Sequence, residues 1–174
     1  KKGVEEQLEA LEQNSLYSSY FSFVYNREMS AQENILMLVE DLEEEIKYQK
    51  EKLDGGATGS FEIKCLTNTK NLKSLLREVR KVSNNLRATV FPALLKSFEV
   101  NQKQKLGYVD ALKYVYLYAT VFGIPKFKKF EYCVVDEGQD FSLLEYLVLN
   151  KLVLRGRFCV LGDLNQSYIK AGLS

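Results

Sequence analysis

Asp136 and Glu137 stand side by side at the end of a short apolar, β-branched run, Phe130-Glu131-Tyr132-Cys133-Val134-Val135. Such a run reads as a strand buried on both faces of a parallel sheet. Ligands of open α/β sheets bind just outside the carboxyl ends of the strands, so this pair is well placed for a cation and its substrate. Nucleotide hydrolysis needs one carboxylate to hold Mg²⁺ and a second to orient and deprotonate water. Asp136 suits the first task and Glu137 the second. Taken alone, the pair is also compatible with a solvated acidic turn.

A second unit follows. Ser142 opens a helix carrying Leu143, Leu144, Tyr146, Leu147, Leu149 and Leu152, and the strand-like run from Arg157 to Leu161 ends in Gly162-Asp163-Leu164-Asn165-Gln166-Ser167. Strand, helix and strand at this spacing predict a βαβ unit with parallel strands. Both carboxyl ends then share one edge, and Asp163 and Gln166 face the same crevice as Asp136 and Glu137.

The run VVDEGQDFS resembles the DExQD form of the Walker B motif of UvrD/Rep-type superfamily 1 helicases, and GDLNQS resembles the GDxxQS motif that follows it. The aromatic helix and short basic loop that lead into the strand, with DFS and the wording GDLNQ, look most like the HelD branch, translocases that act on RNA polymerase. The resemblance covers residues of about 108 to 170 and implies a P-loop NTPase: an α/β, RecA-like parallel sheet, here incomplete, with a mainly helical insertion. Residues 1–104 would be the insertion or arm, with a strand near 61–66, and residues 105–174 part of the first motor domain. The resemblance further implies that ATP and Mg²⁺ are bound, with Asp136 on the metal, Glu137 as catalytic base and Gln166 as γ-phosphate sensor. Gln139 and Asp140 would couple the nucleotide site to the strand-binding surface, and Asp163 would help hold its loop. Implied partners are nucleic acid, single-stranded DNA in the first place, and RNA polymerase. Two departures stand out. Gly138 replaces a more usual Ala, which reads as sterically mild, and Tyr168-Ile169 inverts a common Ile-Tyr, which puts a stacking role for Tyr168 in doubt.

No phosphate loop accompanies these motifs. LDGGATGS, with Gly55, Gly56 and Gly59, is the glycine-rich candidate, but G-x-x-x-x-G-K-[ST] requires Lys after the last glycine and Gly59 is followed by Ser60 and Phe61. It reads as a flexible connection, and the chain on its own is expected to hydrolyse ATP negligibly.

The remaining residues must position or supplement this site. Val4, Leu8 and Leu11 predict a short amphipathic helix to about Glu12. Tyr17, Tyr20, Phe21, Phe23 and Tyr25 form an aromatic cluster that fits core packing better than base stacking, because no basic residue is interleaved before Arg27. Ser30 and Glu33 make a capping box ahead of Ile35, Val39, Leu42 and Ile46. FEIKCLT alternates like a strand, and Asn68 or Thr69 could then cap a helix burying Leu72, Leu75, Leu76 and Val79. On that helix Lys73, Arg77, Arg80 and Lys81 recur at i, i+4, i+7 and i+8, a stripe able to track a phosphate backbone or simply a solvated face. Pro92 suits the first turn of a new helix. A further helix, Gly107 to Phe122, with Tyr108, Leu112, Val115, Tyr116 and Ala119 on one face, is expected to be buried on most sides and to end at Gly123 and Pro125.

Composition sets outer bounds. The 174 residues carry 24 Lys and Arg against 23 Asp and Glu, a net charge of +1, so any nucleic-acid surface must be local. With no histidine and three widely spaced cysteines, Cys65, Cys133 and Cys159, the sequence speaks against a His-based triad or a zinc site, and small buried hydrophobes are expected at Cys133 and Cys159. The absence of an apolar run of about 18 residues speaks against a membrane span, and a reducing, cytoplasmic compartment is expected. A different function class is also open, in which the helices before Gln104 form an arm that docks on RNA polymerase or another protein and the acidic strand end is only its anchor.

Overall fold

The computed structural model describes residues 3–18, 22–100, 105–125 and 128–163. The chain divides into two compact units, Lys1–Pro92 and Ala93–Ser174. The division falls earlier than the expected one after residue 104. Lys113 Nζ donates to Phe98 O, which ties the segment after Pro92 to the helix that follows it.

The first unit is helical. Helix α1 spans Val4–Glu12, α2 Ala31–Asp54 and α3 Gly59–Asn85. The capping box at the start of α2 forms as expected: Ser30 Oγ accepts from Glu33 N–H at 3.1 Å, and Glu33 Oε2 accepts from Ser30 N–H at 2.8 Å. Leu8, Ile35, Leu42, Leu72, Leu75 and Val79 are fully buried and form the core where α2 and α1 pack on α3. The buried stripe of α2 runs through Leu38 rather than Val39 and admits two polar residues, Gln49, whose Nε2 donates to Glu45 Oε1, and Asn34. Its amide is satisfied on both sides, since Oδ1 accepts from Asn26 N–H and Nδ2 donates to Asn26 O and Ser30 O, so burial leaves nothing unpaired. Tyr17 joins this core with its hydroxyl 3.2 Å from Ser74 Oγ, while Tyr20 and Phe21 lie outside the described residues.

The strand expected near 61–66 is instead the first part of α3. Cys65, Thr69, Leu72, Leu76 and Val79 are buried at steps of four and three, which continues the helical period back into FEIKCLT. Phe61 and Ile63, which with Cys65 suggested alternation, are 49 and 66 % exposed on the helix surface, as is Leu66 at 52 %. Thr69 sits mid-helix, its Oγ1 donating to Cys65 O rather than capping a new start.

Pro92 falls in the first turn of a new helix, as expected. A five-residue π turn, Leu86–Val90, leads directly into α4, Phe91–Ser97. The wider turn sits where proline, which lacks an N–H and crowds the carbonyl four residues back, would interrupt regular α-geometry.

In the second unit α5 spans Tyr108–Phe122 and ends at Gly123, whose φ of 78° suits a residue without Cβ. Its buried residues are Leu117, Ala119 and Val121, whereas Tyr108, Val109, Val115 and Tyr118 are exposed, so α5 is less covered than expected and, of the expected face, Ala119 is buried while Tyr108 and Val115 are not. Strands β1, Cys133–Val135, and β2, Phe158–Val160, pair in parallel around α6, Leu143–Leu152. This gives an α/β unit with a small parallel sheet.

The expected strand buried on both faces is corrected here. Phe130, Tyr132 and Val134 alternate outward at 63, 57 and 58 % exposure, and only Val135 of β1 is buried. Cys133 and Cys159 are correspondingly half-buried, while Cys65 alone is buried. Among the described residues no helix is long and apolar enough to cross a membrane.

Candidate nucleotide-hydrolysis site

The parallel register, Cys133 with Phe158 and Val135 with Val160, brings both strand ends to one edge. Beyond the ladder two backbone bonds continue the stitching: Leu161 N–H donates to Val135 O at 2.8 Å, and Gly138 N–H donates to Leu161 O at 2.7 Å. The segment after β1 is therefore folded against the one after β2.

Glu137 lies between them in the left-handed region, φ 51° and ψ 42°. A non-glycine residue there costs on the order of 1–3 kcal/mol and persists only where its surroundings fix it. Three contacts do so. Glu137 N–H donates to Asp136 Oδ1 at 2.9 Å, Asp140 N–H returns to Glu137 O at 2.9 Å to close the 3₁₀ turn Gly138–Asp140, and the Tyr146 hydroxyl donates to Gly138 O at 2.8 Å. Backbone strain of this kind clusters at functional sites.

Gln139 ties the two loops through its side chain. Its Nε2 donates to Glu137 Oε2 at 2.6 Å, and its Oε1 accepts from Asp163 N–H at 3.1 Å. A carboxylate only accepts and a backbone N–H only donates, so the amide can stand in just one orientation. Gly162 makes room for it, since a Cβ there would overlap Gln139 Oε1. The same holds at Gly138, where a Cβ would overlap Val160 Cγ1 and stand 2.7 Å from the Tyr146 oxygen. Gly in place of Ala is therefore not a mild exchange in this chain; alanine would require Val160 and Tyr146 to shift.

Asp136, Glu137, Gln139, Asp140 and Asp163 are thus gathered at one sheet edge, and Gln166 lies outside the described residues. Asp136, Glu137 and Asp140 are exposed and Gln139 is half-buried. Among the described residues no group of three or more His, Cys, Asp or Glu side chains could hold a metal ion, so a cage built by protein alone is not present there. The exposed Asp136 carboxylate fits the other mode, in which Mg²⁺ keeps several waters and takes one or two carboxylates together with substrate phosphates.

Tyr146 carries no recognisable signal in sequence; only the fold brings a residue eight positions on back to Gly138. Its helix is anchored at the start by a second capping box, in which Ser142 Oγ accepts from Glu145 N–H at 3.3 Å and Glu145 Oε2 accepts from Ser142 N–H at 2.6 Å. The free oxygen of that carboxylate accepts from Tyr108 at 2.5 Å, fastening the start of α5 to the start of α6. The Tyr108 bond, with those from Ser142, holds the Glu145 carboxyl below its usual value, and the same bond raises the Tyr108 phenol above 10. The signs are opposite. Stability from Glu145 is present above the ordinary carboxylate range and is lost as pH falls through its lowered value; stability from Tyr108 is present below about 10 and is lost as pH rises through its raised value. In a Tyr108→Phe protein the Glu145 carboxyl, followed by ¹³C NMR titration, is expected to move back up toward the ordinary value. An unchanged titration would show that the contact does not persist in solution.

The four cations of α3 do not remain one stripe. Lys73, Arg77 and Arg80 line a shallow groove of about 540 Å³ with Leu66, Thr69, Lys70 and Leu76. Lys81 lines a different one beside Gln7 and Leu11 of α1 and pairs with Glu78 at 2.7 Å. At about 100° per residue neighbouring residues 80 and 81 diverge around the helix, and the packing of α1 completes the separation. Arg80 is already engaged by Glu43 of α2 at 2.6 Å.

No protein-family model, curated protein or solved structure matches this chain.

Proposed function

We propose that this chain is part of the first motor domain of an ATP-driven helicase or translocase of UvrD/Rep type, acting in a longer polypeptide that supplies the phosphate-binding lysine loop. The observation that carries the proposal is the Gln139 bridge. One side chain holds the carboxylate that would act on water and, at its other end, the loop after the neighbouring strand. A solvated acidic turn has no need of that link, whereas a motor must tell one loop what has happened at the other.

In this scheme Glu137 orients the attacking water and takes its proton. Its left-handed backbone, closed by Asp140 and Tyr146, fixes the direction of the carboxylate before substrate arrives. Gln139 positions Glu137 and registers a change in the Asp163 loop. Asp136 would hold Mg²⁺, which when bound neutralises developing phosphate charge. Nucleic acid, single-stranded DNA in the first place, is the proposed track. The proposed compartment is the cytoplasm.

For the longer polypeptide, Mg²⁺ removal by a chelator is expected to abolish ATP hydrolysis, and Asp136→Ala to raise the Mg²⁺ requirement by roughly 10–100-fold. Phosphate release titrated against Mg²⁺ measures both. Turnover indifferent to Mg²⁺ and to Asp136 would remove this strand end from the hydrolytic site.

A further inference from the structure

We infer that the basic groove on α3 is a docking site for an acidic amphipathic helix of a partner protein, an inference that stands without the motor reading. Its floor is apolar, with Leu66 half-exposed and Leu76 buried beneath, and its rim carries Lys70, Lys73, Arg77 and Arg80. Among the described residues Lys70, Lys73 and Arg77 make no ion pair, so three cations in a row face outward uncompensated.

Spacing decides what suits them. Lys70, Lys73 and Arg77 follow at i, i+3 and i+7, which at a rise of about 1.5 Å per residue puts steps of roughly 4.5 and 6 Å between them along the axis. A helix lying alongside presents carboxylates at i, i+3 and i+7 with the same rise, and an apolar residue on the same face can cover Leu66. The molecule already contains one instance of this chemistry. Helix α2, rich in Glu and Asp, packs its leucines on α3 and places Glu43 against Arg80 at 2.6 Å. The alternative ligand, a single nucleic-acid strand, is held in sequence-independent grooves by aromatic rings on which bases stack. No aromatic residue stands among the described residues that line this groove.

The test is fluorescence anisotropy on the full 174-residue chain. The probes are a labelled helical peptide of about 18 residues with Glu at i, i+3 and i+7 and Leu between, the same peptide with Gln for Glu, and labelled oligothymidylate of about 20 nucleotides. The Glu peptide is expected to bind and the Gln peptide at least about tenfold more weakly. Lys73→Glu with Arg77→Glu is expected to weaken the Glu peptide at least about tenfold, and Leu66→Ser to weaken it separately. All three are surface positions, and circular dichroism of each variant checks that the helices persist. Oligothymidylate binding as tightly as the Glu peptide would overturn the inference in favour of a strand-binding face. Binding of neither probe, or peptide binding that ignores all three substitutions, would overturn it in favour of an ordinary solvated helix.

Discussion

A Glu137→Gln substitution in the longer polypeptide is expected to lower ATP turnover by about 10²–10⁴-fold, the range associated with loss of a positioned general base, while nucleotide binding is retained. The geometry makes the exchange a clean one. Gln139 Nε2 donates to Glu137 Oε2 at 2.6 Å, and a glutamine carbonyl oxygen can still accept that bond, now without charge assistance. The left-handed turn depends on the backbone bond from Asp140 and on Tyr146, neither of which involves the Glu137 side chain. What disappears is the capacity to take a proton, so a large fall in turnover with unchanged nucleotide affinity reports chemistry rather than collapse of the loop. Turnover within about threefold of the parent would mean that another group performs the step.

The largest effect on stability is expected from Leu72→Ala. Leu72 is fully buried in the middle of α3, beside Leu75 and Val79 and opposite the leucine stripe of α2. Removing a buried leucine side chain down to Cβ costs about 2–5 kcal/mol, transfer and cavity terms together, against a total of about 5–15 kcal/mol for an ordinary domain. All three cysteines are free, so no disulfide offsets the loss. Urea denaturation followed by circular dichroism measures it, with Ile63→Ala as the comparison. Ile63 is 66 % exposed, and its replacement is expected to stay within about 0.5 kcal/mol. Were FEIKCLT a strand with Ile63 turned inward, Ile63→Ala would cost about as much as Leu72→Ala, about 2–5 kcal/mol.

That segment also shows where sequence patterning reached its limit. Phe61, Ile63 and Cys65 alternate as in a strand, yet they lie within little more than one turn of a helix that buries Cys65 and turns Ile63 outward, and seven positions are too few to separate the two periods. The deciding feature was longer in range: the steps of four and three from Cys65 to Val79, which a break placed at Asn68 or Thr69 conceals. Signals written in local chemistry were legible. The Ser30–Glu33 box, the end of α5 at Gly123, and the parallel arrangement of β1 and β2 all follow from short-range rules.

At the candidate site the gathering of Asp136, Glu137, Gln139 and Asp163 was readable, because parallel strands must bring their carboxyl ends together. The left-handed Glu137, the Tyr146 bond and the crowding at Gly138 were not, since each depends on contacts between residues whose relation only packing creates. The α3 cations show the same limit from the other side. Helical period alone placed Lys81 with Lys73 and Arg77, and the docking of α1 separated it. The outward-facing Phe130, Tyr132 and Val134 reversed a strand expected to be covered on both faces.

The central claim is that the Asp136–Glu137 strand end is the hydrolytic site of a nucleic-acid motor. Phosphate release by the longer polypeptide, with and without single-stranded DNA and beside its Glu137→Gln form, tests it most directly. The account predicts hydrolysis that rises on addition of the strand and vanishes in the variant. No hydrolysis by the parent under either condition would contradict it and leave the chain as a protein-docking arm.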